Sequence, residues 1–375
     1  MKVMVVMGTR PEVIKLASVI DELRGKVELI VCITGQHREM LLQALEVFGI
    51  KPDLHLDTMS PGQSLNMLAS RLLADLDAVL EKEQPDWVVV QGDTTTALCA
   101  GMAAFHRGIK VAHVEAGLRT GDISSPFPEE ANRSMLARVA TLHLAPTQLA
   151  KHSLISEGIP ANLIAVTGNT VVDAIKLIKK TWINNEPKNT SFAVRQLVGE
   201  KSIVLVTCHR RENFGDTLEA ICEMLKRLCA RYPNYQWVFP VHLNPNVRGP
   251  VNRILANIHN LSLMEPVDYQ TSLYLISRSS LILSDSGGIQ EEAPSFGTPV
   301  VVMRECTERK EGVDAGFAIL AGQDPKNIEV AVAAWLDDAK RMLSLKNKSN
   351  PYGDGLATQR VCSHILGKEA DAFNG

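Results

Sequence analysis

The sequence predicts an α/β protein of two domains, each a parallel sheet with helices on both faces. Three observations carry this prediction. From residue 1 to about 165, short β-branched and apolar runs alternate with helical stretches, the pattern of a sheet buried on both sides. Between Trp182 and Lys201 the chain turns polar and irregular, and beyond it the same alternation restarts. The length of 375 residues also suffices for two domains of about 150 to 200 residues, each with its own core.

Taken in order, the first strands are expected at Val3–Met7, Glu28–Ile33, Trp87–Val90, Lys110–Val114, Thr141–Leu144 and Leu163–Val166. Helices are expected after Pro11, whose fixed φ suits a first helical turn, around Arg38 and Ser64, after Thr94, after Pro128 and near Thr147. The polar stretch carries a short helical hint. Strands then follow at Ile203–Thr207, Gln236–Pro240, Leu261–Met264, Leu281–Ser284 and Val300–Met303, with a short one near Phe317–Leu320. The turn-rich segment Asn350 to Gly355 redirects a last helix from about Ala357. The expected domains are residues 1–170 and 171–355, with the tail 356–375 returning to the first.

Composition excludes several classes. With 45% hydrophobic and 22% charged residues the chain is neither disordered nor a membrane protein, and a net charge of −3 disfavours a nucleic-acid partner. Seven scattered cysteines without C-x-x-C spacing point to reduced thiols in a cytoplasm and to no zinc site. The apolar start MKVMVVM is too short for a signal peptide, and no apolar run approaches the ~20 residues of a membrane span.

Open parallel sheets bind ligands at the carboxyl ends of their strands, so residues just after strands matter most. The stretch Leu281 to Val302 reads as strand, glycine turn, short helix and strand. Ser286, Gly287 and Gly288 fall where strand becomes helix, and their outward N–H groups suit a phosphate; Glu292 is placed to accept from a ribose diol. The competing reading is that the glycines only let helix and strand pack closely. Asp285-Ser286-Gly287-Gly288 also mimics a protease nucleophile loop, but that loop belongs to all-β proteins. After the first strand, Arg10 and Lys15 can both face a diphosphate, although a solvated helix face explains Lys15 alone better.

After the third expected strand comes Asp93, which a helix N-cap explains without chemistry. After the fourth comes Glu115, for which an ion pair with Arg119 is the simple account. The proline-containing loop Gly121 to Glu130 brings Glu129, and three carboxylates near one crevice are costly unless used. In the second half, His209 beside Arg210 and Arg211 suits phosphate binding and leaving-group stabilisation, and His242 ends the next strand. Cys208 is expected to be a small packing residue. Arg309 lies after the strand that follows the glycine turn.

These motifs together resemble the non-hydrolysing UDP-N-acetylglucosamine 2-epimerases over essentially the whole chain. The likeness rests on Gly8-Thr9-Arg10-Pro11-Glu12, Gln36-His37-Arg38-Glu39-Met40, Gly92-Asp93-Thr94-Thr95-Thr96, His113 to Arg119, Pro128 to Arg133, His209-Arg210-Arg211-Glu212, His242 to Asn246 and Ser284 to Pro294. It implies two Rossmann-like domains in a glycosyltransferase-B-like arrangement with a cleft between them, and interconversion of UDP-GlcNAc with UDP-ManNAc for cell-surface polysaccharide synthesis. It implies Asp93, Glu115, Glu129 and His209 as catalytic residues, and Arg10, Lys15, Arg133, Ser286, Gly287, Gly288, Glu292 and Arg309 as substrate-binding. Gln36, Gln63, Arg210 and His242 are candidates for a regulatory substrate site. No cofactor, metal, nucleic acid or membrane is expected, and the partner is a second copy in a homodimer. The chain departs from the usual pattern at Gln91, Phe127, Cys208, Val267, Ser272 and Lys310.

The chemistry fits independently. The C2 proton of the sugar is barely acidic, no G-x-G-x-x-G follows a strand to supply a nicotinamide route, and so elimination of UDP to a glycal and re-addition remains. A hydrolysing epimerase, a sugar transferase needing an acceptor, and a nucleotide-sugar sensor are the competing readings. The retained acidic trio weighs against the sensor.

Overall fold

The computed structural model of the chain describes every residue except 36, 37, 61, 189, 200, 201, 211 and 212, with the side chains of 38–40 and 198 also left undescribed. It divides into two compact units, Met1–Leu177 with Tyr352–Gly375, and Ile178–Pro351. Where the sequence pattern put a break after residue 170, the first unit runs on to Leu177. That point lies inside the helix Thr170–Thr181, whose Val171, Val172, Ala174 and Ile175 are buried. The tail joins the same unit from Tyr352, whose carbonyl accepts from Asn169 N–H at 2.7 Å.

Among the described residues the first unit holds seven strands: β1 (Lys2–Met7), β2 (Glu28–Ile33), β3 (Leu54–His55), β4 (Trp87–Gln91), β5 (Lys110–Val114), β6 (Leu142–Ala145) and β7 (Ile164–Val166). They pair in the order β3-β2-β1-β4-β5-β6-β7, all parallel. Successive side chains alternate between faces and both faces are covered, which is why β1 is apolar from Val3 to Met7. Val3, Val5 and Met7 join the cluster of Val13, Leu16 and Ile20 from helix Arg10–Leu23 and Val361 and Ile365 from the last helix. Met4 and Val6 face Leu68, Leu72, Leu76 and Leu80, a four-residue spacing that lines one side of helix Leu65–Glu83. The edge strand β3 escaped the sequence pattern because it is two residues long, pairing with Cys32 and Ile33 of β2.

The second unit holds β8 (Ser202–Thr207), β9 (Tyr235–Pro240), β10 (Leu261–Met264), β11 (Ser279–Ser284), β12 (Val300–Val302) and β13 (Ala318–Leu320). Their order is β10-β9-β8-β11-β12-β13, again parallel. Val204, Val206, Trp237 and Phe239 are fully buried against Leu218, Ile221, Leu225 and Leu228 of helix Asp216–Arg231.

Each sheet has one point where the strand order reverses. In the first it lies between β1 and β4, in the second between β8 and β11. Crossover helices leave to opposite faces there, opening a crevice at the carboxyl ends of the two strands. Among the described residues no helix is long and apolar enough to cross a membrane, and no cluster of His, Cys, Asp and Glu is disposed to hold a metal ion.

Candidate active site

The reversal point of the first sheet is flanked by Gly8 to Glu12 after β1 and by Gly92 to Thr94 after β4. Thr94, not Asp93, caps helix Thr95–His106, its hydroxyl accepting from Ala97 N–H at 3.0 Å. Asp93 is thereby left for another partner. Its carboxylate accepts from Arg133 Nε at 2.8 Å and lies 2.6 Å from Nη2, while its carbonyl accepts from Asn132 at 2.8 Å. Arg133 Nη1 donates in turn to Glu130 at 2.8 Å. Arg133, expected on the substrate, thus grips an expected catalytic acid.

Glu115, one residue beyond β5, has φ 64, a left-handed backbone that non-glycine residues rarely adopt. It is buried and forms an ion pair with Lys15, and Gln91 donates to the same oxygen at 2.9 Å. The pairing with Arg119 does not form. Arg119 instead holds Glu157, Nε to Oε1 at 2.6 Å and Nη2 to Oε2 at 3.0 Å. Nor is Lys15 on a solvated helix face, being buried against Glu115. Because β4 and β5 pair as far as Gln91 and Val114, Asp93 and Glu115 leave adjacent strand ends. Glu129 opens helix Glu129–Val139, and its Oε2 is buried with no hydrogen-bond partner among the described residues. Arg10 begins helix Arg10–Leu23 and is partly exposed.

At the reversal point of the second sheet, His209 follows β8 and Asp285 follows β11. Ser286 stands at the N-cap position of the short helix Gly287–Glu292, with no capping hydrogen bond from its side chain. Its N–H is not directed outward, since it donates to Ser284 Oγ at 2.9 Å. Gly287 and Gly288 open the helix, and their amides have no carbonyl a turn earlier within it. A Cβ on Gly287 would come within 2.8 Å of Arg309 Cζ, whereas one on Gly288 would meet nothing closer than 3.9 Å. Close packing therefore accounts for the first glycine and not the second. Arg309 lies buried beneath the turn, its Nε donating to Glu291 at 2.7 Å and its Nη1 bonded to Glu308. Glu292 is buried at the end of that helix.

The remaining candidates divide. Arg210 Nε donates to the Asp285 carbonyl at 3.0 Å, and the His242 ring stacks on His209 with centroids 6.1 Å apart. Gln63 lies in the loop before helix Leu65–Glu83, its carbonyl accepting from Arg71 at 3.2 Å. Gln36 lies outside the described residues. Cys208 is buried in the core, where burial and then Asp285 push its thiol well above the usual range, so it is a packing residue and no nucleophile.

Several residues that build the site carried no expectation of their own. Glu12 is fully buried and accepts from Gly8 N–H at 3.0 Å, Thr9 Oγ at 2.8 Å and Thr94 Oγ at 2.9 Å, so it ties the loop after β1 to the loop after β4. Burial raises its carboxyl to about 7 against the hydrogen bonds of Thr9, Thr94 and Gly8. Its signal was Thr9-x-x-Glu12, the spacing of a capping box. His113 is paired through Nε2 with the Gly92 carbonyl at 2.7 Å, and burial lowers its pKa to about 3, so the neutral ring steadies the turn before Asp93.

A family model described as UDP-N-acetylglucosamine 2-epimerase matches residues 21–366. The chain is 49% identical over 365 residues to a UDP-N-acetylglucosamine 2-epimerase of Yersinia pestis, covering 96% of this chain and 97% of that protein. A solved UDP-GlcNAc 2-epimerase from Neisseria meningitidis, bound to UDP-GlcNAc, matches with TM-score 0.91 at 43% identity, over 98% of this chain and 100% of that one. The S. aureus MnaA–UDP co-structure matches with TM-score 0.92 at 40% identity, over 100% of both chains.

Proposed function

The chain belongs to the UDP-N-acetylglucosamine 2-epimerase family, and from that premise we propose that it interconverts UDP-GlcNAc and UDP-ManNAc by eliminating and re-adding UDP. The observation that carries this reading is the pair of acids at the ends of adjacent strands, Asp93 on Arg133 and Glu115 on Lys15 and Gln91. Inversion at C2 needs a proton removed from one face and delivered to the other. A single carboxylate fixed on one side serves poorly, so Asp93, Glu115 and Glu129 share the proton work. As the base takes the C2 proton, the C1–oxygen bond breaks and UDP leaves with the electron pair, forming a 2-acetamidoglucal. Protonation of C2 on the opposite face and attack of the UDP oxygen on C1 complete the exchange.

The second unit supplies the nucleotide contacts in this reading. The amides of Gly287 and Gly288 bind diphosphate, Glu292 accepts from the ribose hydroxyls, and His209 and Arg10 stabilise the charge that develops on the departing UDP. Arg309 backs the turn from below. The neighbours solved with UDP-GlcNAc and with UDP support a nucleotide-sugar ligand for this fold.

Proton NMR of UDP-GlcNAc incubated with the protein in deuterium oxide tests the proposal. The expected result is UDP-ManNAc in equilibrium with UDP-GlcNAc, both gaining deuterium at C2. Free ManNAc with UDP as the end products would replace this reading by the hydrolysing one, and products without deuterium at C2 would remove the elimination step.

A further inference from the structure

We propose that Asp285 is the positioning residue of His209, holding its ring with Nδ1 protonated toward the protein so that Nε2 is the atom presented to ligand. Asp285 is fully buried at the end of β11, directly across the reversal point from the end of β8. Its two oxygens have separate tasks. Oδ2 accepts from the backbone N–H of His209 at 2.8 Å and of Arg210 at 2.9 Å, and from Asn213 Nδ2 at 2.9 Å. Oδ1 has no hydrogen-bond partner among the described residues and lies 3.1 Å from His209 Nδ1. A buried carboxylate oxygen without a donor is costly, and the Nδ1–H of His209 is the group placed to satisfy it.

The carboxylate is charged under all ordinary conditions. Burial pushes its pKa up, but the hydrogen bond and charge of His209, then the two amides, outweigh burial and hold it at about 2. Such an oxygen accepts only, so the ring edge facing it must donate. The other ring nitrogen then lies on the far edge of a side chain that is 43% exposed. His242 stacks against the ring at an interplanar angle of 21°, and its own Nδ1 accepts from Asn244 N–H at 3.1 Å, which keeps that neighbour in a fixed pose. A proton on Nε2 of His209 makes an imidazolium that donates to a phosphate oxygen while Asp285 balances its charge.

The role rests on the reading of His209 as a diphosphate ligand, but the pairing does not, and the experiment separates them. The first measurement is the nitrogen-15 NMR spectrum of histidine-labelled wild-type protein, with His209 assigned by its loss in His209→Asn. Where the ring is neutral, the proton is expected on Nδ1; a neutral ring protonated on Nε2 would overturn the proposal. The second is kinetic. Asp285→Asn keeps a carbonyl oxygen for the three Oδ2 donors and turns an amide toward Nδ1, which forces the other tautomer. It is expected to lower kcat by about 10²-fold or more, and to cost nothing further in the His209→Asn background, since a residue acting only through another is silent once that other is gone. Equal losses in both backgrounds would mean that Asp285 only stabilises the loop. A protein with the Nδ1 tautomer and no epimerase activity would refute the proposed function and leave the pairing standing.

Discussion

Arg133 holds Asp93 by a fork, Nη2 at 2.6 Å and Nε at 2.8 Å from one carboxylate oxygen, while Nη1 reaches Glu130 at 2.8 Å. Glu130 in turn accepts from the N–H groups of Thr120 and Gly121 at 3.0 and 3.3 Å, so one guanidinium links a strand end to the loop that delivers Glu129. A lysine ammonium has charge but no fork. Arg133→Lys is expected to lower kcat by about 10²-fold through displacement of Asp93, with UDP affinity by calorimetry unchanged. Weakened UDP binding with normal kcat would return Arg133 to the substrate.

Lys15 and Gln91 are the partners of the Glu115 carboxylate. Lys15→Met removes the cation paired with this buried acid, which favours the protonated form. The acid limb of the kcat profile is expected to move to higher pH, and the fold to lose on the order of 3 kcal/mol. A folded variant whose profile stays in place would show that Glu115 does not set that limb.

Acid stability of the first unit has two opposing parts. His113 and His143 face each other in register on β5 and β6, and burial lowers them to about 3 and about 4 from 6.5. Both are folded as neutral rings, so their contribution is complete above 6.5 and is lost as pH falls toward those lower values. Glu12 acts in the other sense: raised from 4.5 to about 7, it contributes fully below 4.5 and loses that contribution as pH rises through 7. Calorimetric melting should show Tm falling below pH 6.5 less steeply in His113→Gln. The Glu12→Gln variant should lose the part of the pH dependence between 4.5 and 7. Parallel pH curves for wild type and both variants would contradict these assignments.

Alanine at two neighbouring glycines separates packing from binding. Gly287→Ala drives a methyl into the Arg309 guanidinium, so it is expected to lower Tm, whereas Gly288→Ala has room in the protein. If diphosphate approaches the turn, Gly288→Ala should weaken UDP binding by about 10-fold while Tm holds. Unaltered UDP affinity in that variant would move the diphosphate elsewhere.

Much of the fold was legible because its strands are buried on both faces and therefore read as short apolar runs. The strand-end rule also singled out Asp93, Glu115, His209 and Gly287, which do stand just past strand ends, since it needs only the places where runs stop. Pairings were not legible. Asp93 read as a cap because it begins a helix, yet Thr94 one residue on has a hydroxyl better placed for Ala97. Glu115 read as the partner of the nearby Arg119, while the sheet delivers Lys15 from a helix a hundred positions away in the chain. Glu12 and Asp285 looked like ordinary members of their motifs. Their roles depend on loops after β1 and β4, or β8 and β11, meeting at a reversal of strand order that no local window contains.

Glu115 occupies a backbone conformation made for a different residue. With φ at 64, a side chain there costs about 1 to 2 kcal/mol that glycine would not. The usual ranking of alanine over glycine should therefore invert at this position, Glu115→Gly melting above Glu115→Ala although both strip Lys15 of its ion pair. Random drift selected for folding alone would run toward glycine or asparagine and erase the acid. The glutamate in this chain stands there against the preference of its own main chain, held by Lys15 and Gln91.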